Sequence, residues 1–123
     1  MRKDSPSAAG GVGIYVKTEL EVTIADGLNL NIDECEDLWL QVKLLNNKQF
    51  TTAAIYRHPR HNFEQFQYAL LNSIEKLNKL NYKYYILGDF NLNLLQYHND
   101  PKIKLYVDLL SFYDCQYLLT KPT

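Results

Sequence analysis

The feature that most constrains the fold is a change in the spacing of apolar residues on either side of Pro59. Before it, residues 38–44 place leucine or valine at every second position, a period of two that predicts a β-strand. After it, apolar residues recur at steps of three and four, which predicts a helix with one buried stripe. That stripe consists of Phe63, Phe66, Leu70, Ile74 and Leu77. The chain therefore combines strands and helices.

Asn46-Asn47 separates the strand at residues 38–44 from a second strand-like run, KQFTTAAIY (48–56). Asparagine tolerates the positive φ that tight hairpin turns require, so these two runs are predicted to form a β-hairpin. Upstream, GVGIYVK (11–17) also alternates and predicts a half-buried strand with its valines and isoleucine on one face. The following ELEVTI (19–24) either extends that strand or pairs with it.

The second half of the chain alternates helices and strands. Asn62 is predicted to be an N-cap, with Gln65 completing a capping-box spacing, and Asp100-Pro101 predicts the start of a second helix. Between the helices, YKYYILGDF (82–90) predicts a buried strand, and CQYLL (115–119) a further one. This order predicts an α/β (α+β) chain with helices covering a sheet. A length of 123 residues fits a single domain, and no internal boundary is visible.

Bulk composition excludes few functions. The formal net charge of -1 gives no overall signal for nucleic-acid binding, although a nuclease can carry a local basic patch on a neutral body. Cys35 and Cys115 lie far apart, which indicates neither a disulfide framework nor a metal site and favours a reducing compartment, the nucleus or cytoplasm. No signal peptide follows Met1, and no apolar run approaches the ~20 residues needed to cross a membrane. We therefore expect a protein that is not secreted and has no membrane partner.

One segment carries residues suited to catalysis, ILGDFN (86–91). If the backbone stays extended, Asp89 and Asn91 project to one side and Phe90 to the other. A carboxylate beside an amide at the end of a strand suits activation of water or binding of a hard metal ion. The alternative is that Gly-Asp-Phe-Asn is an ordinary turn that closes the strand.

A second segment, AAIYRHP (53–59), ends a strand in Tyr-Arg-x-Pro, and a helix then leads to the strand that carries Asp89. This arrangement resembles the middle of the endonuclease/exonuclease/phosphatase family, which is deoxyribonuclease I-like. The resemblance is closest to the endonuclease domain of non-LTR retrotransposons. It extends over nearly the whole chain through blocks in the same order: GGVGIYVK (10–17), ECEDLWLQV (34–42), AAIYRHP (53–59), ILGDFNLNL (86–94) and LLTKPT (118–123).

The resemblance implies a four-layer α/β/β/α sandwich that hydrolyses phosphodiesters in DNA with Mg²⁺ (or Mn²⁺) as cofactor. It also implies three catalytic residues. Asp89 would orient and deprotonate the attacking water and is the one weak candidate for a metal ligand. Asn91 would hold that water or a phosphate oxygen, and Tyr56 would contact the scissile phosphate through its hydroxyl.

Other polar residues are weaker candidates. Arg57 is either a contact to a DNA phosphate, for which guanidinium geometry is suited, or a solvated charge at a strand end. His58 stands where members of the family often have proline, which favours a surface role. His61 and His98 lie in polar surroundings and are expected to be exposed. Trp39 is expected in the core and not as a platform for stacking bases.

The catalytic set that the resemblance implies is wider than these positions. An early Asn, a metal-binding Glu and a Ser-Asp-His block have no counterpart in residues 1–123. We therefore expect a single partial domain, the central part of an endonuclease, inactive by itself. The implied context is a longer polyprotein with a reverse transcriptase. The alternatives are a non-catalytic remnant acting at most as a binding piece, and a phosphatase or deadenylase of the same fold.

Overall fold

The computed structural model describes residues 2–4 and 11–116. Its elements, in chain order, are β1 (Arg2–Asp4), β2 (Gly11–Gly13), β3 (Glu21–Ile24), β4 (Cys35–Lys43), β5 (Gln49–Arg57), α1 (Phe63–Leu80), β6 (Lys83–Asp89) and α2 (Pro101–Phe112). Short 3₁₀ helices lie at Asp26–Leu28 and Leu94–His98. The mixed α/β class is confirmed. The last three residues of the strand expected at 115–119 lie outside the described residues.

Four strands form one sheet in the order β3-β4-β5-β6. The first three are antiparallel neighbours, and β6 runs parallel to β5, which it reaches through α1. The β4–β5 hairpin is confirmed, and Asn47 adopts the positive φ of 65° that the turn requires. Because β3 pairs with β4, both expectations for residues 19–24 are wrong. A separate antiparallel ribbon, β1–β2, lies against β4.

Both helices begin where their capping residues predict. The Asn62 side-chain oxygen accepts a hydrogen bond from the Gln65 backbone N–H at 3.1 Å, and Asp100 caps α2 through the Lys102 N–H at 2.9 Å. Helix α1 ends at Leu80, and its C-cap residue Asn81 takes the left-handed conformation favoured at helix C-termini. Four of the five residues in the predicted stripe of α1 are buried, and Phe63 is partly buried.

One side of the sheet, here called the helix face, packs against α1 and α2. Alternate residues of the three long strands point to it, including Trp39, Ala53, Ile55 and Ile86. They meet Phe66, Leu70, Ile74, Leu77, Tyr106 and Leu110 from the helices. Since Trp39 and Phe66 are both fully buried, this face forms the main core. Neither helix within residues 11–116 is both long and apolar enough to cross a membrane.

The opposite side, here called the open face, is covered only in part. Leu38, Leu40 and Val42 are buried there under apolar side chains of the segment 12–22. That segment contributes the alternating residues expected from its sequence, although β2 itself ends at Gly13. Toward β6 the cover ends, because Tyr85 is 48% and Leu87 is 65% exposed. The buried strand expected at 82–90 is therefore wrong: β6 is an edge strand of the described sheet, and its open-face side chains are exposed.

Candidate functional site

The register of the parallel pair brings two of the predicted catalytic residues together. The last pair between β5 and β6 is Tyr56 with Asp89, at the carboxyl ends of both strands. Directly paired residues of neighbouring strands point to the same side of a sheet, which here is the open face. Tyr56 is partly buried and Asp89 is exposed, so both side chains can be reached from solvent.

Gly88 allows the two strands to approach closely in this register. Its φ is +151°, and a Cβ atom at this position would lie 1.8 Å from the carbonyl oxygen of Ile55. Only glycine permits so close a backbone approach. The glycine of the Gly-Asp-Phe-Asn segment therefore has a packing reason, which is to let β6 lie directly against β5 next to Asp89.

The chain turns immediately after Asp89. Asn91 has a left-handed φ of 53°, and its backbone N–H donates to the Asp89 side-chain oxygen Oδ1 at 3.0 Å. The expectation of an extended backbone through Asn91 is therefore wrong, and the alternative, a turn that closes the strand, is what the structure has; the bond to Asp89 makes it an Asx turn. The Phe90 side chain points toward the helix face, where the centroid of its ring lies 5.5 Å from the centroid of the Phe66 ring.

Asn91 nevertheless remains at the strand ends. Its side-chain nitrogen Nδ2 donates to the Arg57 carbonyl oxygen at 2.5 Å, which ties it to the last residue of β5. The carboxamide oxygen can accept a hydrogen bond from water, and the second N–H of Nδ2 can donate one to a phosphate oxygen. The structure thus places Tyr56, Asp89 and Asn91 around the same two strand ends. Asn91 is positioned there by the turn after β6 and not by the alternation of an extended strand.

Arg57 occupies a position that the sequence did not predict. Its side chain is only 5% exposed and donates three hydrogen bonds to backbone carbonyls: Nε to Phe90 at 2.7 Å, Nη1 to His61 at 2.7 Å and Nη2 to Asn91 at 3.2 Å. The solvated-charge expectation is therefore wrong. A DNA phosphate contact also does not fit a side chain that lies inside the domain, on the helix face.

Glu36 is a further polar residue at these strand ends that the sequence analysis missed. It pairs directly with Tyr56 across the β4–β5 hairpin, so Glu36, Tyr56 and Asp89 form a row on the open face. The signal was present in the hairpin itself. Once Lys43 pairs with Gln49 next to the Asn-Asn turn, counting back along both strands places Glu36 opposite Tyr56.

The three histidines differ in their positions. His58 is partly buried, its Nδ1 accepts from the Arg60 N–H at 3.2 Å, and its ring lies edge-on to that of Tyr56. His61 is 9% exposed, so the expectation of a surface position is wrong: the bond from Arg57 to its carbonyl oxygen holds its loop against the domain. His98 is exposed, as expected.

Cys35, which pairs with Arg57 on the helix face, carries a thiol close to the strand ends. Burial and the neighbouring carboxylate of Asp37 raise the pKa of the Cys35 thiol to about 12, so it stays protonated and unreactive at neutral pH. Trp39 lies in the core as predicted, where its Nε1–H donates to the Asp37 oxygen Oδ2 at 2.7 Å. Within residues 2–4 and 11–116, no group of three or more His, Cys, Asp or Glu side chains is placed to hold a metal ion.

Comparisons with protein-family models, with curated proteins and with solved structures found no match to this chain. The family resemblance therefore rests on the sequence blocks described above. At the strand ends, a phenol, a carboxylate and a carboxamide lie together.

Proposed function

We propose that this chain is the central part of a metal-dependent DNA phosphodiesterase, an endonuclease domain of non-LTR retrotransposon origin, which does not cleave DNA by itself. The observation that carries the proposal is the pairing of Tyr56 with Asp89 at the ends of two parallel strands. The two residues come from separate sequence blocks of the family resemblance. Their meeting on one accessible face is what a phosphodiester site built from both blocks requires.

The proposed architecture is the four-layer α/β/β/α sandwich of deoxyribonuclease I-like proteins, of which the described residues supply one helix layer, the four-stranded sheet and the short ribbon β1–β2. The apolar character of the open face supports this. Leu38, Leu40 and Val42 are already covered there, and Tyr85 and Leu87 continue the same surface toward β6 without cover. A second sheet packed on this side would bury those exposed side chains, as in other sheet-on-sheet packings.

In the proposed chemistry, Tyr56, Asp89 and Asn91 have different tasks. The Tyr56 hydroxyl donates a hydrogen bond to a non-bridging phosphate oxygen. Asp89 takes a proton from the attacking water, using the carboxylate oxygen that does not accept from the Asn91 N–H. The Asn91 carboxamide oxygen accepts from the same water and orients it, since its nitrogen is held by Arg57.

A divalent cation would be held by the Asp89 carboxylate together with phosphate oxygens, and it would neutralise charge on the phosphate. Mg²⁺ prefers six oxygen ligands and commonly takes only one or two carboxylates from the protein, so this donor set fits weak binding. The sequence supplies no Ser-Asp-His block, whose His in the family acts on the phosphate or as general base. We therefore expect binding at the strand ends without turnover.

The test is titration of the ¹⁵N-labelled chain with MnCl₂ in the presence of a short DNA duplex. Paramagnetic broadening is expected first at the amides of Tyr56, Asp89 and Asn91. Asp89→Asn should remove this broadening, whereas Asp26→Asn, which changes an exposed acid elsewhere, should preserve it. Broadening that ignores Asp89→Asn, or none at these amides, would refute the proposed site.

Plasmid nicking separates binding from catalysis. Supercoiled DNA incubated with the chain and Mg²⁺ is expected to remain intact. Nicking that is lost in Asp89→Asn would support the phosphodiesterase function and show that the claim of inactivity is wrong. Nicking that persists in Asp89→Asn would indicate a contaminating nuclease and would count against this site.

A further inference from the structure

Arg57 carries a charge that is buried inside the domain. Among the described residues, no carboxylate forms an ion pair with it, and its side chain is 5% exposed. Its guanidinium carbon lies 5.8 Å from the ring centroids of both Phe63 and Phe66. These cation–π contacts offset part of the free-energy cost of burying the charge. Burying an unpaired charge is expensive, which makes the partners of its N–H groups informative.

Those partners connect three segments. The carbonyls of Phe90 and Asn91 belong to the turn after β6, and the carbonyl of His61 belongs to the loop between β5 and α1. Arg57 itself is the last residue of β5, directly after Tyr56. One side chain therefore fixes the turn that follows Asp89 relative to the strand that presents Tyr56.

The link to Asn91 is reciprocal. Arg57 Nη2 donates to the Asn91 carbonyl oxygen at 3.2 Å, and Asn91 Nδ2 donates back to the Arg57 carbonyl oxygen at 2.5 Å. Asn91 also has a positive φ, a conformation that costs free energy for a residue with a side chain. The two opposed bonds hold this residue in place, with its carboxamide at the end of β5.

We propose that Arg57 is a positioning residue for a phosphodiester site: it fixes Asn91 and the turn after Asp89 next to Tyr56 and does not itself contact the phosphate. The effect of Arg57 on a phosphodiester site rests on the proposed function, whereas the hydrogen bonds that Arg57 makes do not depend on it. A lysine cannot replace it, because a single ammonium lacks the planar fork that reaches three carbonyls from different segments. The identity of the residue, and not only its charge, is therefore required.

The experiment compares Arg57→Lys with Arg60→Lys, which makes the same substitution at an exposed arginine three residues away. Two signals are followed in ¹⁵N spectra: the side-chain NH₂ of Asn91, and Mn²⁺ broadening at Asp89 and Asn91 in the presence of duplex DNA. Arg57→Lys should shift the Asn91 NH₂ signal and weaken the Mn²⁺ affinity about tenfold or more, as loss of an outer supporting group does at metal sites. Arg60→Lys should leave both unchanged.

Asn91→Gly probes the same link from the other side. Glycine adopts the positive φ without strain, so this variant removes the bond to the Arg57 carbonyl while allowing the turn. It is expected to lose Mn²⁺ affinity to about the same degree as Arg57→Lys. It also decides the matter if Arg57→Lys does not fold, and full affinity in Asn91→Gly would then overturn the inference.

The failure modes are distinct. If the wild-type chain shows no Mn²⁺ effect at Asp89 and Asn91, the proposed function fails, whatever Arg57 does. If the wild-type chain binds Mn²⁺ there and Arg57→Lys binds equally well with an unshifted Asn91 NH₂ signal, the function stands and the positioning role of Arg57 is wrong.

Discussion

The two faces of the sheet differ in how completely they are covered, and the candidate site depends on both. The helix face is closed by α1 and α2 around Trp39 and Phe66, which are fully buried. The open face is covered near β4 but leaves Leu87 of β6 65% exposed. Tyr56 and Asp89 lie at the strand ends of the open face, whereas Arg57, next to Tyr56, points into the closed one.

Because of this difference, residues that solvent can reach and residues that are held rigidly lie on opposite faces of the sheet. Groups that would meet a substrate need exposure, and groups that fix their positions need burial and satisfied hydrogen bonds. Because successive residues of a strand point to opposite sides, Tyr56 and Arg57 divide these two tasks between adjacent positions. Mutations on the two faces should therefore have different consequences, and the following predictions are arranged from the largest expected effect to the smallest.

Trp39→Ala should have the largest effect on stability. It removes a fully buried ring from the helix face and leaves the Asp37 carboxylate without one of its donors. A loss of about 3–5 kcal/mol in the free energy of unfolding is expected for a large aromatic residue in a core, measured by urea denaturation. Trp39→Phe, which keeps most of the volume, should lose less. Equal losses would mean that packing on this face does not dominate stability.

Gly88→Ala should follow, with a loss of about 2–4 kcal/mol, because the added Cβ would overlap the Ile55 carbonyl oxygen and φ is positive. Hydrogen exchange should show the loss concentrated in the amides that join β5 and β6. Gly27→Ala is the matched control, since a Cβ there meets nothing within 4 Å. A larger effect at Gly27 would contradict the close approach of the two strands.

Cys35 should react slowly with iodoacetamide, because its thiol pKa is raised to about 12 and the reactive thiolate is scarce at pH 8. Alkylation in the native chain should be at least about 100-fold slower than in the urea-unfolded chain, where the pKa returns to about 8.5. The native rate should rise about tenfold per pH unit below pH 12. Equal native and unfolded rates would show that this end of the helix face is open to water.

Leu87→Ala should have the smallest effect, within about 0.5 kcal/mol, because its side chain is largely exposed. Leu40→Ala is the comparison on the same face: Leu40 is fully buried, so a loss of about 2–4 kcal/mol is expected. If both leucines prove equally tolerant, residues 12–22 do not cover β4 as described. If both prove equally sensitive, β6 is covered by something beyond the described residues.

Much of the fold follows from local signals. The hairpin follows from Asn46-Asn47 and the alternation around it, and both helices start at Asn62 and Asp100 because each cap bonds within its own first turn. The partner of β3 could not be predicted, because four residues of alternating pattern do not specify which strand they join. Pairing of short strands is decided by tertiary contacts.

The site was predictable where strand geometry alone sets positions. The pairing of Tyr56 with Asp89 requires only a strand–helix–strand crossover with matched ends, and Glu36 follows from the hairpin register. Asn91 departs from the expected extended backbone because it adopts a left-handed conformation, which turns the chain directly after Asp89. The burial of Arg57 depends on carbonyl groups that lie 33 and 34 residues away in the sequence. No local sequence pattern predicts that these groups come close to Arg57.

The most direct test of the account is a ¹³C- and ¹⁵N-edited NOESY spectrum of the chain. The register predicts contacts between the Tyr56 ring protons and the Asp89 β-protons, together with contacts from the Phe90 ring to Phe66 on the other side of the sheet. A slip of one residue between β5 and β6 would send Asp89 to the helix face. Contacts from Tyr56 to Gly88 or Phe90 in place of Asp89 would show that slip and would contradict the proposed phosphodiester site.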